Sequence, residues 1–585
     1  MKNIIDFFKV IVKYDRTLVP VLFCDILFGA LQPFPKIVLS KIIFDYLVED
    51  NSLQQFLYVI SLLILSDVAI QYIFHLFDQW VEIKGQWLMF QLGYKMNRKT
   101  MDIEYEMLLD SKILEKRELG LKVVSGSNFI DMIRSIRSIV SNVIVVIGVA
   151  LIVMQMGIYV LIPVVLCIAF NAWHNSKVKK VQYQCSVEAV PSQRRRDYLN
   201  SVCSDFSFVK EICINDCSEL IDKKYSKLSK ACYSFIKKMI VKQSRGFRMG
   251  DITGGVQDII IYSVLGVKIL IQRAISIGDF SMYFNAVTNF RTSVLKIMYD
   301  FADLRMNSLN VGHFIDYMNL EDKNKGEKRI DNKTEFVIEF SHVYFQYPGS
   351  ENYVLEDICC QFRNDEKIMV VGANGAGKTT FIHLLLRLYR PTKGEILLND
   401  VNINEYNYDD YLTMFSSVFQ DYKTFAFSCL ENITFGKKEN TERIREVIQL
   451  IGLEEKMESL PEKMGTIVSK LYDENGTEFS GGEKQKMAIA RALYKDSKVV
   501  IMDEPTAALD PLAEYELYKQ LIFLMEGRLS FFISHRLASG KFCERILVFS
   551  DGTIKEDGSH AELMNLQGLY AEMYSRQAEF YERGS

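Results

Sequence analysis

The chain has 585 residues, of which 49% are hydrophobic and 24% charged, and this composition excludes a disordered or collagen-like protein. Its 69 Lys and Arg residues against 73 Asp and Glu residues give a net charge of −4, which does not favour a nucleic-acid partner. The eleven cysteines are scattered and odd in number, which argues against a disulfide framework. The mean hydropathy of +0.05 best fits a mixed chain, with one part in a membrane and one part outside it.

The first half of the chain contains apolar stretches that are long enough to cross a bilayer, for which a helix needs about 20 residues. We predict six such spans, at residues 17–47, 53–80, 137–156, 157–174, 253–273 and 279–301. The first span contains Pro20, Pro33 and Pro35, which membrane helices tolerate when neighbouring helices satisfy the freed backbone groups. The N-terminus lacks the short apolar core and the cleavage site of a signal peptide.

Charge divides the segments between these spans into two kinds. Segments 84–137 and 175–248 are rich in Lys and Arg, whereas the connections at 48–52, 155–157 and 274–278 contain neither. The positive-inside rule therefore predicts that the basic segments and both termini are cytoplasmic. Both basic segments are poor in Gly and Pro, so we expect the membrane helices to continue well beyond the bilayer.

A different pattern begins after a polar stretch from Glu321 to Thr334, which indicates a linker. Short strand-like runs then alternate with helical segments, and this pattern predicts an α/β domain with a central sheet. The strand-like runs are Phe336–Phe340, Ile368–Val371, Val499–Met502, Phe531–Ser534 and Arg545–Phe549. We therefore divide the chain into a six-helix transmembrane domain at 1–316, a linker at 317–333 and an α/β domain at 334–585.

The α/β domain contains a phosphate-binding loop. Gly372 to Thr379 reads G-A-N-G-A-G-K-T, which matches G-x-x-x-x-G-K-[ST] and follows the strand-like run Ile368–Val371. The backbone N–H groups of such a loop wrap a β-phosphate, and the following helix adds the positive end of its dipole. We expect Lys378 to reach the β- and γ-phosphates of ATP and Thr379 to bind Mg²⁺. The loop residues assigned to ATP are Gly372, Asn374, Gly375, Ala376, Gly377, Lys378, Thr379 and Thr380.

A second motif consists of an apolar run, Val499–Met502, that ends in two carboxylates. Asp503 is placed to hold Mg²⁺ through water, and Glu504 is placed to orient or deprotonate the attacking water. Such a peptide alone also fits a strand that ends in acidic turn residues. The phosphate-binding loop earlier in the chain favours the catalytic interpretation.

The segment between these motifs identifies a family. Phe479-Ser480-Gly481-Gly482-Glu483 resembles the Leu-Ser-Gly-Gly-Gln signature of ATP-binding cassette (ABC) ATPases, which binds the γ-phosphate of a nucleotide held by the opposing subunit. The resemblance implies that Ser480 donates its hydroxyl and that the Gly481 and Gly482 backbone approaches the phosphate. Phe479 and Glu483 depart from the family pattern, and we expect modest effects because the Ser-Gly-Gly core is intact.

Four further residues resemble landmarks of the same family, and the likeness extends over roughly residues 333–580. Tyr347 resembles the aromatic residue that stacks on adenine, and Gln420 the glutamine that senses Mg²⁺ and faces the membrane domain. Asp510 resembles the residue of the loop that crosses the dimer interface, and His535 the histidine that contacts the γ-phosphate. The resemblance thus assigns catalysis to Glu504, His535 and Gln420, and metal binding to Thr379, Gln420 and Asp503.

Six spans followed by one such ATPase resemble a half-transporter of the exporter type, also called type IV. The resemblance implies that each ATP lies between two subunits, so a homodimer or a heterodimer with a second half-transporter is required. ATP binding would close the ATPase pair, and the helices near 105–125 and 203–225 would pass this closure to the membrane bundle. We expect alternating access in a bacterial cell membrane, with both termini cytoplasmic and with no nucleic-acid partner.

The transported molecule is less constrained by the sequence. Charged residues lie within the predicted spans at Asp25, Asp67, Asp258, Lys268 and Arg291. They fit either a polar cavity for a charged or amphipathic substrate, or charges that are paired with partners or lie past the membrane edge. Export of a small or amphipathic molecule, including a peptide, is the first hypothesis. A lipid flippase of the same fold is the second, and an ATP-gated channel or regulator is the third, against which the intact Glu504 argues.

Overall fold

A computed structural model of the chain describes residues 2–48, 53–155, 158–270, 275–323, 326–330, 335–470, 473–504, 525–534 and 536–583. The chain forms two compact units. One unit comprises Met1–Lys99 and Leu114–Leu320, and the other comprises Thr100–Ile113 and Glu321–Ser585. The short segment Thr100–Ile113, which interrupts the helical part of the sequence, therefore belongs with the α/β part.

The chain up to Met318 is helical. Its helices are α1 (Lys2–Tyr14), α2 (Leu18–Leu31), α3 (Pro33–Val48), α4 (Leu53–Asp102), α5 (Ser111–Ser125), α6 (Asn128–Met154), α7 (Ile158–Ser204), α8 (Val209–Ile214), α9 (Ser218–Leu270) and α10 (Ile277–Met318). Helices α4, α7, α9 and α10 contain 50, 47, 53 and 42 residues. At about 1.5 Å per residue they are far longer than the hydrocarbon core of a bilayer. The prediction that these helices continue beyond the membrane is confirmed.

Each predicted span lies on one of these helices or, for 17–47, on the pair α2 and α3. Among the described residues, the segments long and apolar enough to cross a membrane are Leu18–Val48, Leu53–Asp102, Asn128–Met154 and Ser218–Ile269. The predicted span 157–174 lies on α7 and the span 279–301 on α10. The predicted positions 156, 157 and 271–273 lie outside the described residues.

The three prolines of the first span lie in the first turns of helices. Pro20 is the third residue of α2, and Pro33 and Pro35 are the first and third residues of α3. The N–H groups of a first turn have no partner within the helix, so proline removes no hydrogen bond there. The chain breaks its helix at Gln32, and the prolines need no neighbouring helix to satisfy a freed carbonyl group.

The second unit contains two sheets. The four-stranded sheet has the order β2–β1–β4–β5, and the six-stranded sheet has the order β10–β9–β3–β8–β7–β6. The strands are β1 (Val337–Phe345), β2 (Leu355–Arg363), β3 (Lys367–Gly372), β4 (Lys393–Leu398), β5 (Val401–Asn402), β6 (Phe415–Val418), β7 (Val499–Asp503), β8 (Leu529–Ile533), β9 (Arg545–Ser550) and β10 (Thr553–Gly558). Strands β9, β3, β8, β7 and β6 are parallel, and their carboxyl ends share one edge.

Helices surround these sheets. They are α11 (Lys378–Leu385), α12 (Tyr408–Thr413), α13 (Cys429–Thr434), α14 (Thr441–Leu450), α15 (Glu454–Ser459), α16 (Gly481–Lys495), α17 (His560–Leu566) and α18 (Leu569–Arg583). The fully buried Phe381 of α11 joins one hydrophobic core with residues of both sheets. A second core packs the apolar side of α16 against β7 through Met487, Ile489 and Met502. These cores fix the two elements that carry the phosphate-binding loop and the signature.

Candidate ATP site and membrane cavity

The phosphate-binding loop lies between the carboxyl end of β3 and the start of α11. Ligands of parallel sheets bind at this edge, beyond the carboxyl ends of the strands. Gly375 and Gly377 have φ angles of +81° and +103°, which only glycine adopts without strain. A Cβ atom on Gly377 would lie 2.6 Å from the Leu355 side chain. The glycines of the motif are therefore required by backbone geometry and by close packing.

Lys378 is folded back onto the loop that contains it. Its Nζ donates hydrogen bonds to the carbonyl oxygens of Gly372 at 2.8 Å and Ala373 at 3.0 Å. Burial lowers the pKa of Lys378, and the nearby carboxylates of Glu504 and Asp503 oppose that shift. The ammonium group thus rests on carbonyl oxygens beside the position that the motif assigns to the phosphates.

The two carboxylates follow β7, as predicted. The Gln420 side chain, just after β6, donates a hydrogen bond from Nε2 to Glu504 Oε2 at 2.8 Å. Glu504 has a φ of +47°, and its backbone N–H donates to the Ile533 carbonyl oxygen at 2.9 Å. Burial, followed by the charge of Glu504, raises the pKa of Asp503 to about 6. A strained backbone and an amide hydrogen bond together fix the direction of the Glu504 carboxylate.

One cavity of about 430 Å³ unites most of the predicted site. Its lining comprises Tyr347, Val354, Asn374, Gly375, Ala376, Gly377, Lys378, Thr379, Thr380, Gln420, Asp503, Glu504 and Ile533. The Thr379 hydroxyl, the Gln420 amide oxygen and the Asp503 carboxylate are oxygen donors of the kind that Mg²⁺ prefers, so the residues fit that ion. Gly372 lies behind this lining, where its carbonyl oxygen accepts from Lys378.

The signature residues Ser480, Gly481 and Gly482 do not line this cavity in the described part of the chain. Ser480 begins α16 through a capping box, in which its backbone N–H donates to Glu483 and its hydroxyl accepts from the Glu483 N–H. A Cβ atom on Gly481 or Gly482 would meet no atom within 4 Å. The signature therefore forms the capped first turn of α16, and its two glycines have open space where side chains would stand.

The capping box explains one departure from the family sequence. The third helical position of such a box takes either Glu or Gln, because each can reach back to the N-cap N–H. Partial burial acts to raise the pKa of Glu483, but hydrogen bonds from Ser480 and the Lys456 ammonium lower it overall. Phe479, the other departure, is 4% exposed and packs in the second core where another apolar residue also fits.

Two predicted residues, Asp510 and His535, lie outside the described residues. The sequence also missed residues of the cavity wall, Val354 and Ile533, which carry no motif. It missed Tyr389, whose ring packs edge-on against Tyr347 at 5.3 Å between ring centroids. Tyr389 also packs edge-on at 5.8 Å against Tyr105 of the segment Thr100–Ile113. No sequence signal connects these three tyrosines, which are far apart in the chain.

The helical unit has a polar cavity of about 440 Å³. Its lining comprises Asp25, Gly29, Gln32, Pro33, Lys36, Phe74, Arg137, Ser138, Ser141, Asn142, Val145, Asn289, Thr292, Ser293 and Lys296. Asp25 is fully buried and lies 3.3 Å from Arg137, which also contacts Asp78. Lys36 and Lys296 form no ion pair with any described residue. The cavity therefore combines a buried acid, which lies beside Arg137, with two lysines that form no ion pair with the described residues.

Other charges within the predicted spans are satisfied away from this cavity. Arg291 Nη1 lies 2.8 Å from Asp258 Oδ1 and 3.0 Å from the Gly254 carbonyl oxygen. Asp67 accepts from Gln71 at 2.6 Å. Arg291 does not line the cavity and is paired with Asp258, as the hypothesis of paired charges predicts. Asp25 lines the cavity, as the hypothesis of a polar cavity predicts.

The fold and the site define an ATPase domain with a phosphate-binding loop, joined to a helical membrane domain. Residues 355–507 match the family model described as ABC transporter. The subtilin transport ATP-binding protein SpaT of Bacillus subtilis is 26% identical over 588 residues, which cover 98% of this chain and 94% of that protein. An ATP-dependent lipid A-core flippase of Burkholderia pseudomallei is 36% identical over 240 residues, which cover 41% of this chain and 40% of that protein.

The solved structure of a bacterial Atm1-family ABC exporter with ATP bound matches with a TM-score of 0.81 at 19% identity. The match covers 96% of this chain and 99% of that chain, and it shows that the fold is the same. Residues 355–507 therefore belong to an ABC transporter ATP-binding domain, and the chain as a whole has the fold of an exporter-type (type IV) half-transporter, with a helical domain and an ATP-binding domain in one polypeptide. It combines an ABC-type ATPase domain with helices that are long and apolar enough to cross a membrane.

Proposed function

We propose that two half-transporters build each ATP site, with the phosphate-binding loop of one subunit facing the signature of the other. The observation that carries this proposal is the separation of the two motifs within one chain. The cavity around Lys378 lacks the signature, and the signature presents an open backbone at the start of α16. A second subunit would supply the N–H groups and the Ser480 hydroxyl that the γ-phosphate needs.

Within this site, the proposed roles follow from position. Lys378 would exchange its two carbonyl partners for the β- and γ-phosphate oxygens, and Tyr347 would stack on adenine. Thr379, Gln420 and Asp503 would hold Mg²⁺, which when bound neutralises charge on the phosphates. Glu504 would take the proton of the attacking water, and Gln420 would hold its carboxylate in position. Asp510 and His535 keep the interface and γ-phosphate roles that the sequence predicts.

We propose a homodimer, because the chain carries Lys378, Asp503, Glu504 and His535 and so can supply two competent ATP sites. Native mass spectrometry of the chain expressed alone and extracted from its membrane tests this proposal. We expect a species of twice the chain mass with ATPase activity. A monomer that lacks ATPase activity would contradict the homodimer and would require a second, different half-transporter.

We propose that the substrate is an amphipathic peptide with an anionic group, exported across the cell membrane of a bacterium. The relative that matches nearly the whole chain is named for the transport of subtilin. The lining of the membrane cavity includes Lys36 and Lys296 as well as the pair Asp25 and Arg137, and lysines without an ion pair among the described residues favour a carboxylate. The alternative substrate, a lipid, is suggested by relatives named lipid A-core flippases, but their alignments cover only about 41% of this chain.

Transport into inverted proteoliposomes separates these candidates. A labelled acidic peptide should accumulate in the presence of ATP and Mg²⁺, and a labelled phospholipid should not move between leaflets. The reverse result would establish the flippase instead. Absence of both activities in a dimer that hydrolyses ATP would favour a regulator or channel. Protease accessibility of the two termini in the same vesicles tests the proposal that both are cytoplasmic.

A further inference from the structure

Three metal-ligand side chains converge on the outer face of the β1–β2 pair, away from the ATP cavity. His342 Nδ1 lies 2.7 Å from Asp357 Oδ1 and 3.4 Å from Cys359 Sγ. The distance from Cys359 Sγ to Asp357 Oδ1 is 3.9 Å. All three residues are exposed, and all three lie on neighbouring antiparallel strands.

Two β-bulges bring these side chains to one face. The pairing of β1 with β2 passes from Phe340–Cys360 to Val343–Ile358, so that Ser341 and His342 together oppose Cys359. It then passes to Phe345–Leu355, which leaves two residues, Glu356 and Asp357, opposite Tyr344. A bulge redirects a side chain by adding one residue to one strand. Here each strand contributes one bulge.

The bulges keep the apolar residues inside while they turn the polar ones outward. Phe340, Val343, Leu355 and Ile358 are each 1% exposed or less, although the simple alternation of a strand would place some of them outside. His342 and Asp357 both have a φ of +49°, a conformation that costs free energy for most residues other than glycine. The strained backbone thus accompanies the convergence of the three ligands.

The spacing of the three donor atoms fits a tetrahedral ion. Zn²⁺ binds sulfur at about 2.3 Å and nitrogen or oxygen at about 2.0 Å, which separates sulfur from either by about 3.5 Å and nitrogen from oxygen by about 3.3 Å. The observed separations of 3.4, 3.9 and 2.7 Å lie within about 0.6 Å of these values. A thiolate and a carboxylate would also balance the charge of a divalent cation.

The backbone provides an outer hydrogen bond of the kind that supports metal ligands. The His342 N–H donates to Cys359 Sγ at 3.3 Å, and a donor to sulfur stabilises a thiolate ligand. We propose that His342, Asp357 and Cys359 form a binding site for a divalent transition metal ion of the Zn²⁺ class. With three protein ligands, the site would leave a fourth position for water or for a ligand from outside the chain.

Zinc binding by the purified, chelator-treated full-length protein tests this proposal. Competition with a chromophoric chelator measures the number of equivalents bound and the affinity, with Zn²⁺ itself as the probe. We expect Cys359→Ser and His342→Asn each to lose one equivalent relative to the unaltered protein. Asn is the appropriate replacement for His342 because it tolerates a positive φ and preserves the bulge.

Matched cysteine controls decide whether the loss is specific. Cys360→Ser alters the neighbouring residue, and Cys203→Ser alters an exposed cysteine of the helical unit. Both should keep the full number of zinc equivalents, and ATPase activity should be unchanged in every variant, which shows that the protein is folded. Cobalt bound to the unaltered protein should give a thiolate charge-transfer band that Cys359→Ser abolishes. Equal zinc binding by Cys359→Ser and the unaltered protein would overturn the proposal.

Discussion

The Gln420 amide donates a hydrogen bond to the Glu504 carboxylate across 2.8 Å, and it joins the ends of two adjacent parallel strands. The bond leaves the Gln420 amide oxygen available to another partner. One side chain can thus orient the proposed catalytic base and bind an ion at the same time. This arrangement makes the hydrolytic chemistry depend on Glu504, whereas ATP binding depends on the loop around Lys378.

Glu504→Gln therefore should separate hydrolysis from binding. An amide at this position can still hydrogen-bond to Gln420 but cannot accept a proton, so ATP hydrolysis should fall by at least about 100-fold. ATP binding, measured with a fluorescent ATP analogue, should be unchanged within a factor of about two. Hydrolysis that persists at the original rate would show that another group acts as the base.

The raised pKa of Asp503 predicts that the free energy of unfolding depends on pH when nucleotide and Mg²⁺ are absent. Because its pKa is about 6 in the folded protein, against 3.8 for an ordinary aspartate, the folded state favours the protonated form. The stabilisation is complete below the unfolded pKa and is lost as the pH rises through about 6. Asp503→Asn, which is neutral at every pH, should consequently unfold at a higher temperature than the unaltered protein at pH 7.5.

This difference in unfolding temperature should shrink as the pH is lowered from 7.5 to 5. Thermal unfolding of the detergent-solubilised chain, with a chelator and without nucleotide, measures it at both pH values. Asp551→Asn provides a control, since Asp551 is an exposed turn residue far along the chain. A difference between Asp503→Asn and the unaltered protein that is constant with pH would contradict the raised pKa.

The capping box at the signature predicts which replacements of Glu483 are tolerated. Glu483→Gln keeps the hydrogen bond to the Ser480 N–H, so ATPase activity should stay within about a factor of two. Glu483→Ala removes that bond and leaves the N-cap N–H unpaired, which should destabilise α16 by about 1 kcal/mol. Activity and thermal unfolding of the two variants, measured together, test the box. Equal behaviour of the two variants would show that the cap does not matter.

One part of the ATP site could be predicted from the sequence, and another part could not. The phosphate-binding loop is readable because its chemistry requires contiguous residues, and Gly375 and Gly377 have the backbone angles that the motif implies. The role of the acids at the end of β7 is readable because the phosphate-binding loop earlier in the chain favours the catalytic interpretation over that of ordinary turn residues. Tyr389 was not predictable, because its contact with Tyr347 arises from tertiary packing without a local pattern.

The bulges of β1 and β2 could not be predicted from the sequence for a related reason. Alternation of apolar and polar residues predicts a regular strand, and an inserted residue shifts the pattern without leaving a turn signal. His342, Asp357 and Cys359 are ordinary surface residues in the sequence, and only the register of the two strands brings them together. The sequence predicts Asp25 within the first span, but the pairing of Asp25 with Arg137 depends on helix packing.

Close packing in the helical unit predicts opposite effects for two glycines. A Cβ atom on Gly148 of α6 would lie 2.5 Å from the Phe34 ring, whereas one on Gly266 of α9 would meet no atom within 4 Å. Gly148→Ala should destabilise the protein by about 1–3 kcal/mol through overpacking. Gly266→Ala should be neutral or should stabilise α9 by about 0.5–1 kcal/mol, because alanine restricts the unfolded backbone. Thermal unfolding of both variants measures the contrast.

Lys36 and Lys296 of the membrane cavity, which form no ion pair with the described residues, give the sharpest test of the proposed substrate. Replacing Lys36 and Lys296 together with Met keeps much of their length and removes both charges from the lining. The concentration of an acidic peptide that half-maximally stimulates ATPase activity should rise at least about tenfold, because about 1.4 kcal/mol of attraction corresponds to that factor. Basal ATPase activity should remain, since neither lysine is part of the lining of the ATP cavity.

A peptide pair distinguishes charge recognition from a general loss of the cavity. The amidated form of the same peptide, in which the carboxylates are neutral, should stimulate the double variant and the unaltered protein at similar concentrations. Lys9→Met, on α1 and paired with Asp6, serves as a matched control that removes a cation outside the cavity. If the acidic and amidated peptides lose affinity equally in the double variant, the lysines shape the cavity rather than recognise an anion, and the anionic substrate class is wrong.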